Sequence, residues 1–181
     1  MADLAIRNRP LAGVHGGSAT VRLTPADAAH RISLRAGQDA VPALSSALGL
    51  SLPTNPKTSS SSGSRMALWL GPDEWLVIDE GEGGLMQAAA SSGTVHSATD
   101  VSHRNTAILI EGPGTSAALN GGCPLDFSLK AFPVGACART LFGKIEVVIL
   151  RTSEESFRLE CWRSFSEYAF GLLRDTALDV D

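Results

Sequence analysis

Four groups of residues in this chain have the side-chain types that chemistry needs, and their spacing decides between them. Asp100-Val-Ser-His-Arg104 places an acid, a hydroxyl and an imidazole within one short stretch, the parts of a hydrolytic nucleophile. On an extended strand, however, Ser102 and His103 point to opposite faces, so the imidazole cannot take the serine proton. No G-x-S-x-G elbow occurs to offer another nucleophile. Gly112-Pro-Gly114-Thr-Ser-Ala117 fits G-x-G-x-x-G/A between a predicted strand and a predicted helix, the setting of a dinucleotide fingerprint. Pro113 removes a backbone donor from that cradle, and no acidic residue closes a second parallel strand about 20 residues on. The simpler reading is a turn in which the glycines serve backbone geometry. Cys123, Cys137 and Cys161, with His15, His30, His96 and His103, contain no C-x-x-C or H-x-x-x-H pair, so a metal site is not expected. The fourth group consists of contact residues. Trp69 and Trp162 alternate away from the apolar neighbours assigned to the core, either as a second packed layer or as anchors in a protein interface. The candidate interface set is Trp69, Trp75, His103, Arg104, Trp162 and Arg163.

The elements that would position these residues are read from periodicity. Phe157 to Leu173 sets an alternating strand directly against an amphipathic helix. Phe157, Leu159 and Cys161 fall on one strand face, and Arg158, Glu160 and Trp162 on the other. Phe165, Tyr168, Ala169, Leu172 and Leu173 then recur at helical spacing. The stretch reads as a packing and docking element, with no nucleophile and base in it.

A chain of 181 residues suggests one domain or a tight pair of subdomains, and its 44% apolar content supplies a core. The formal charge of -4, with no cluster of Lys and Arg, argues against nucleic acid. An odd number of cysteines without a close pair fits a reducing cytoplasm. Around Asp3, Arg7 and Arg9 there is no apolar run of the signal-peptide kind, and apolar runs such as Val147 to Leu150 are too short to cross a bilayer. A soluble cytoplasmic protein is expected, with no membrane partner.

Along the chain, residues 1–30 read as an N-terminal arm with a short strand near Ala19 to Leu23. The remainder, 31–181, reads as a single α+β domain of two subdomains, about 31–103 and 104–181. In the first, a strand at Arg31 to Arg35 precedes a helix from Asp39 to Leu48. A flexible, Ser-rich loop at 54–64 then leads to strands at Met66 to Leu70 and Trp75 to Asp79. A helix at Leu85 to Ala90 and a strand near Val95 to Val101 complete a β-α-β-β-α-β order, the split arrangement of ferredoxin-like units. The second begins the same way, with a strand at Thr106 to Ile110 and a helix at Thr115 to Asn120. Strands at Cys137 to Phe142, Ile145 to Arg151 and Phe157 to Cys161 precede the last helix. It puts a strand where the first puts its second helix, so the duplication is imperfect. The fold class is α+β, with two sheets flanked by helices.

Five stretches, taken in order, carry a family resemblance: Arg9-Pro-Leu-Ala-Gly13, Leu70-Gly-Pro-Asp-Glu-Trp-Leu-Val77, Asp100-Val-Ser-His-Arg104, Gly122-Cys-Pro-Leu-Asp126 and Phe157 to Leu173. Together they resemble the gamma subunit of heterotetrameric sarcosine oxidase. The resemblance implies an assembly that oxidatively demethylates sarcosine to glycine, releasing hydrogen peroxide and a one-carbon unit for tetrahydrofolate. It also implies alpha, beta and delta partner subunits. FAD, FMN, NAD and tetrahydrofolate would belong to the larger partners and zinc to the small delta subunit. No cofactor and no catalytic residue is implied for this chain, whose fold would be similar to the folate-binding domain of the glycine-cleavage aminomethyltransferase. Size agrees, since a flavin amine oxidase needs a dinucleotide fold and a substrate domain, commonly over about 250 residues together. Two other functions compete. One is a free-standing folate-binding protein of the aminomethyltransferase or iron–sulfur maintenance type, with Asp100 and Glu111 as pterin-binding candidates at strand ends. The other is a small nucleotide-binding enzyme using Gly112 to Ala117.

Overall fold

The structure, a computed structural model, describes residues 10–180. Asp3, Arg7 and Arg9, with the start of the arm, lie outside the described residues. Two short strands come first, β1 (Gly16–Gly17) and β2 (Arg22–Pro25). The first half then runs β3 (His30–Ala36), α1 (Val41–Leu48), β4 (Ser59–Ser62), β5 (Arg65–Gly71), β6 (Glu74–Asp79), α2 (Leu85–Ser91) and β7 (His96–Asp100). The second half runs β8 (Asn105–Glu111), α3 (Thr115–Asn120), β9 (Cys137–Phe142), β10 (Ile145–Ser153), β11 (Ser156–Trp162) and α4 (Ser166–Leu178).

One sheet has the order β4-β5-β6-β3-β7 and the other β1-β2-β8-β11-β10-β9. All pairings within them are antiparallel. The halves therefore match strand for strand, β9-β10-β11-β8-β2 against β4-β5-β6-β3-β7. In the first half the last strand, β7, follows α2 in the chain. In the second half no strand follows α4 among the described residues, and the matching slot is taken by β2 from the opposite end. The irregularity that the sequence suggested in the duplication is thus one of chain order.

The helices are framed by ordinary local signals. Pro42 sits in the first turn of α1, where its missing N–H costs nothing. Gly49, at φ +60°, closes that helix, and the Leu50 amide donates back to the Ser45 carbonyl at 3.1 Å. Val41, Leu44 and Leu48 recur on one face and are buried with Ile32, Leu34, Trp75 and Val77 in the first core. The second core joins Leu23, Ile108, Ile110, Phe127, Phe157 and Leu173, among others. A third cluster, with Leu68, Leu76 and Ile78 from one sheet and Cys137, Val148 and Leu150 from the other, lies between the sheets. The layers are helices, sheet, sheet, helices.

Three expectations change. The Ser-rich stretch 54–64 is not simply a loop: Ser59–Ser62 pairs with Arg65–Leu68 as edge strand β4. Serine is a poor strand former, so its own side chains gave no sign of it; the pairing comes from β5 and from the bridge between Thr58 and Ala136. The arm is tied down from Gly16 onward, and its strand lies at Arg22–Pro25 on the edge of β8. Trp75 is 0% exposed, and its indole N–H donates to the Pro53 carbonyl at 2.7 Å. That burial takes it out of the candidate interface set and makes it a core residue.

Candidate functional site

Between the sheets, in an otherwise apolar layer, lies a group of fully buried charges. On β11, Arg158 and Glu160 share a face with the inter-sheet residues because they pair with Leu150 and Val148 of β10. Glu160 accepts from Arg31 of β3 twice, from Nε at 2.8 Å and from a terminal nitrogen at 3.1 Å. It also accepts from Arg158 Nε at 2.8 Å, and Arg158 reaches Glu80 at 2.6 Å. Another Arg31 nitrogen donates to the Ala29 carbonyl at 3.0 Å. Burial alone would lower the Arg158 pKa, but Glu160 and Glu80 outweigh it and hold the guanidinium more firmly protonated. Arg139 of β9 also pairs with Glu74 of β6 across the halves. This group is a joint between the halves. The sequence put Arg158 and Glu160 on one face correctly but did not supply Arg31 as their partner, which lies 129 residues away. The available signal was two charges alternating through a strand otherwise rich in apolar residues.

The residues that suggested catalysis are placed in unreactive surroundings. The strand ends at Asp100, and Ser102 to Arg104 form a turn rather than continuing it. Ser102 donates its hydroxyl (2.5 Å) and amide (2.8 Å) to the Asp100 carboxylate, which these bonds hold below the usual carboxylate pKa. The same hydroxyl oxygen accepts the Arg31 amide at 2.9 Å. Among the described residues no hydrogen bond joins Ser102 to His103, so hydroxyl and imidazole do not act as a pair. Glu111, the other pterin candidate, pairs with Arg22 at the surface and lies in the other sheet. The glycine turn is filled by the protein itself. A Cβ on Gly112 would stand 2.3 Å from the Thr20 carbonyl oxygen, and the Gly114 amide donates to that oxygen at 3.1 Å. The Gly112 and Thr115 amides, which a phosphate would also need, donate to the Glu155 and Gly112 carbonyls at 2.9 and 3.2 Å.

The three cysteines are buried, and among the described residues no group of three His, Cys, Asp or Glu could hold a metal ion. Burial pushes both the Cys137 and the Cys161 thiol up to about 12. Both are therefore expected to resist a thiol reagent in the native protein at pH 8 and to react on denaturation, as a colorimetric thiol titration measures. Fast native labelling of Cys137 or Cys161 would contradict this placement.

The remaining candidates come together at the end of β11. Trp162 is 43% and Phe165 39% exposed, and their rings stack at 5.9 Å and 16°. The Arg104 guanidinium lies over the Trp162 ring, 5.2 Å from its centroid. Arg163 is adjacent, with its amide donating to the Arg104 carbonyl at 2.7 Å, and His103 is exposed beside them. Trp69 is not part of this surface: it is half-buried against the first core, and its indole N–H has no hydrogen-bond partner. Phe165, at helical spacing with Tyr168 and Leu172 in the sequence, lies in the short 3-10 turn Arg163–Phe165 before α4.

A family model described as "Sarcosine oxidase, gamma subunit family" matches residues 35–179. The chain is 32% identical over 162 residues to the sarcosine oxidase subunit gamma of Corynebacterium sp. (strain P-1), covering 86% of this chain and 79% of that protein. With the subunit gamma of Arthrobacter sp it shares 30% identity over 158 residues, covering 86% and 72%. Among solved structures it matches a chain of the heterotetrameric sarcosine oxidase from Corynebacterium sp. U-96 in complex with pyrrole 2-carboxylate. The TM-score is 0.85 and the identity 27%, covering 91% of this chain and 88% of that one. The glycine cleavage system aminomethyltransferase T from Bartonella henselae matches with a TM-score of 0.61 and 14% identity, over 86% of this chain and 45% of that one. This second likeness shows the fold alone.

Proposed function

The chain belongs to the sarcosine oxidase gamma subunit family, and from that premise we propose that it is a structural, non-catalytic subunit of a heterotetrameric sarcosine oxidase. The assembly would demethylate sarcosine oxidatively to glycine, with hydrogen peroxide and a one-carbon unit passed to tetrahydrofolate as products. Alpha, beta and delta subunits would be its partners in the cytoplasm, carrying FAD, FMN, NAD, tetrahydrofolate and zinc between them. The observation that carries the reading is the family match over 35–179. The exposed aromatic surface at Trp162 and Phe165 supports it, because large aromatics left in water mark contact sites. So do the self-filled glycine turn and the separation of Ser102 from His103 in hydrogen bonding. The interface residues would be His103, Arg104, Trp162 and Arg163, with Trp69 a half-buried support.

Co-expression of the tagged full chain with flavoprotein partners of this family tests the proposal. The expected outcome is a complex that survives size exclusion and produces peroxide from sarcosine, while the purified chain alone produces none. Peroxide formed by the lone chain, or a chain that never co-elutes with the partners, would overturn it.

A further inference from the structure

Arg104 differs from five other arginines in what it holds. Arg22, Arg35, Arg65, Arg139 and Arg174 each lie within ion-pair distance of a carboxylate. Among the described residues Arg104 has no such partner: its Nε donates to Asn105 Oδ1 at 3.2 Å, and no hydrogen bond uses its terminal nitrogens. A guanidinium held over an indole ring, with its terminal nitrogens unbonded, can grip a planar carboxylate with two parallel hydrogen bonds.

The support beneath it is stiff. Trp162 pairs with Asn105 in the β11–β8 ladder, and the Arg163 amide is bonded to the Arg104 carbonyl. Cation and stacked rings are therefore held in place before any partner arrives, which lowers the entropy cost of association. A small molecule fits poorly here. The neighbouring cleft, lined in part by Arg104, Trp162, Glu74 and Glu146, has a volume of ≈ 60 Å³, against about 300 Å³ or more for a typical ligand pocket. Two stacked, exposed rings beside a guanidinium with no carboxylate partner among the described residues suit a protein chain.

We infer that this surface receives a segment of a sister subunit that sets an Asp or Glu carboxylate on the terminal nitrogens of Arg104 and an apolar side chain on Trp162 and Phe165. The inference rests on the subunit reading and adds the chemistry of the partner.

The test titrates the remaining subunits of the assembly with the tagged full chain and its variants, each first shown to keep the parent Tm. Arg104→Glu should weaken association by about 100-fold, as expected when a desolvated charge pair becomes a repulsion. Arg104→Lys should cost about 5- to 10-fold, because an ammonium keeps the charge but loses the planar grip and the stacking. Arg174→Glu, on α4 beside Asp175, should change nothing and controls for net charge. Association of Arg104→Glu within about twofold of the parent, with the parent bound normally, would overturn the inference alone. Equal losses from Arg174→Glu would do the same, as would a homodimer of the parent chain that Arg104→Glu dissolves. A parent chain that binds no sister subunit would remove the subunit reading and the inference together.

Discussion

Glu160→Ala is expected to lower stability by about 3–5 kcal/mol, because it leaves Arg31 and Arg158 buried without the anion that compensates both. In a chain of this length that corresponds to a fall in Tm of about 6–20 °C. Arg31 and Arg158 are 2% and 3% exposed, so water cannot replace the lost carboxylate without opening the sheets. Arg158 already has one terminal nitrogen buried and unpaired, which leaves it little capacity to rearrange. The effect should depend on charge, since replacing a whole buried ion group by apolar residues is often neutral or stabilising. The triple variant Arg31→Met, Arg158→Met, Glu160→Leu should therefore lie closer to the parent than Glu160→Ala does. Glu80→Ala provides the contrast. Glu80 has a side-chain exposure of 49%, and removing its half-solvated ion pair should cost only about 1 kcal/mol or less. Thermal unfolding of the four proteins at pH 7 measures this. A Glu160→Ala loss no larger than that of Glu80→Ala would mean that the joint between the halves is not held by this group.

The sequence conveyed local elements well and distant partners poorly, for physical reasons visible residue by residue. The helix at Thr115–Asn120 and the strand at Cys137–Phe142 have the bounds that periodicity and turn residues assigned. Both are delimited by their own glycines and apolar alternation. Strand β4 was missed because Ser59–Ser62 has no alternation to read, and only the neighbouring strand makes it extended. Of the tryptophans, Trp75 shares the hairpin with Trp69, and nothing in the local pattern distinguishes the buried ring from the half-buried one. The distinction comes from the Pro53 carbonyl 22 residues away, which accepts the Trp75 indole. The site was half legible for the same reason. Trp162 and Phe165 are close in sequence, so their proximity could be expected; Arg104 reaches them only because β8 and β11 are paired. Arg31 and Glu160 meet across two sheets, and no spacing rule connects them.

Deleting residues 1–26 is expected to unfold the second half, although it removes no helix among the described residues. Strand β2 fills the slot beside β8, in register from Arg22 opposite Glu111 to Pro25 opposite Ile108. Val21 and Leu23, 2% and 1% exposed, are lost with it from the second core. Truncating one buried aliphatic of this size costs about 2–5 kcal/mol, so losing two, with the strand that carries them, consumes most of the roughly 5–15 kcal/mol that holds a typical domain folded. Hydrogen exchange should show amides of β8 and β11 unprotected in the truncated chain, and a peptide spanning residues 14–28 should restore their protection. A truncated chain whose Tm stays within about 2 °C of the parent would refute the role given to β2. The match between the halves allows a stricter experiment. Strand β7 follows α2 after only a short connection, Ser92 to Val95, and β2 occupies the same position relative to α4. A permuted chain that begins at Ala29 and carries residues 10–28 after Val180, through a linker of about four residues, should therefore recover the parent circular dichroism spectrum. Failure of both the peptide and the permuted chain would mean that Arg22–Pro25 only decorates the sheet edge. Recovery by the permuted chain would show that the second half requires β2 in its slot, whichever end of the chain supplies it.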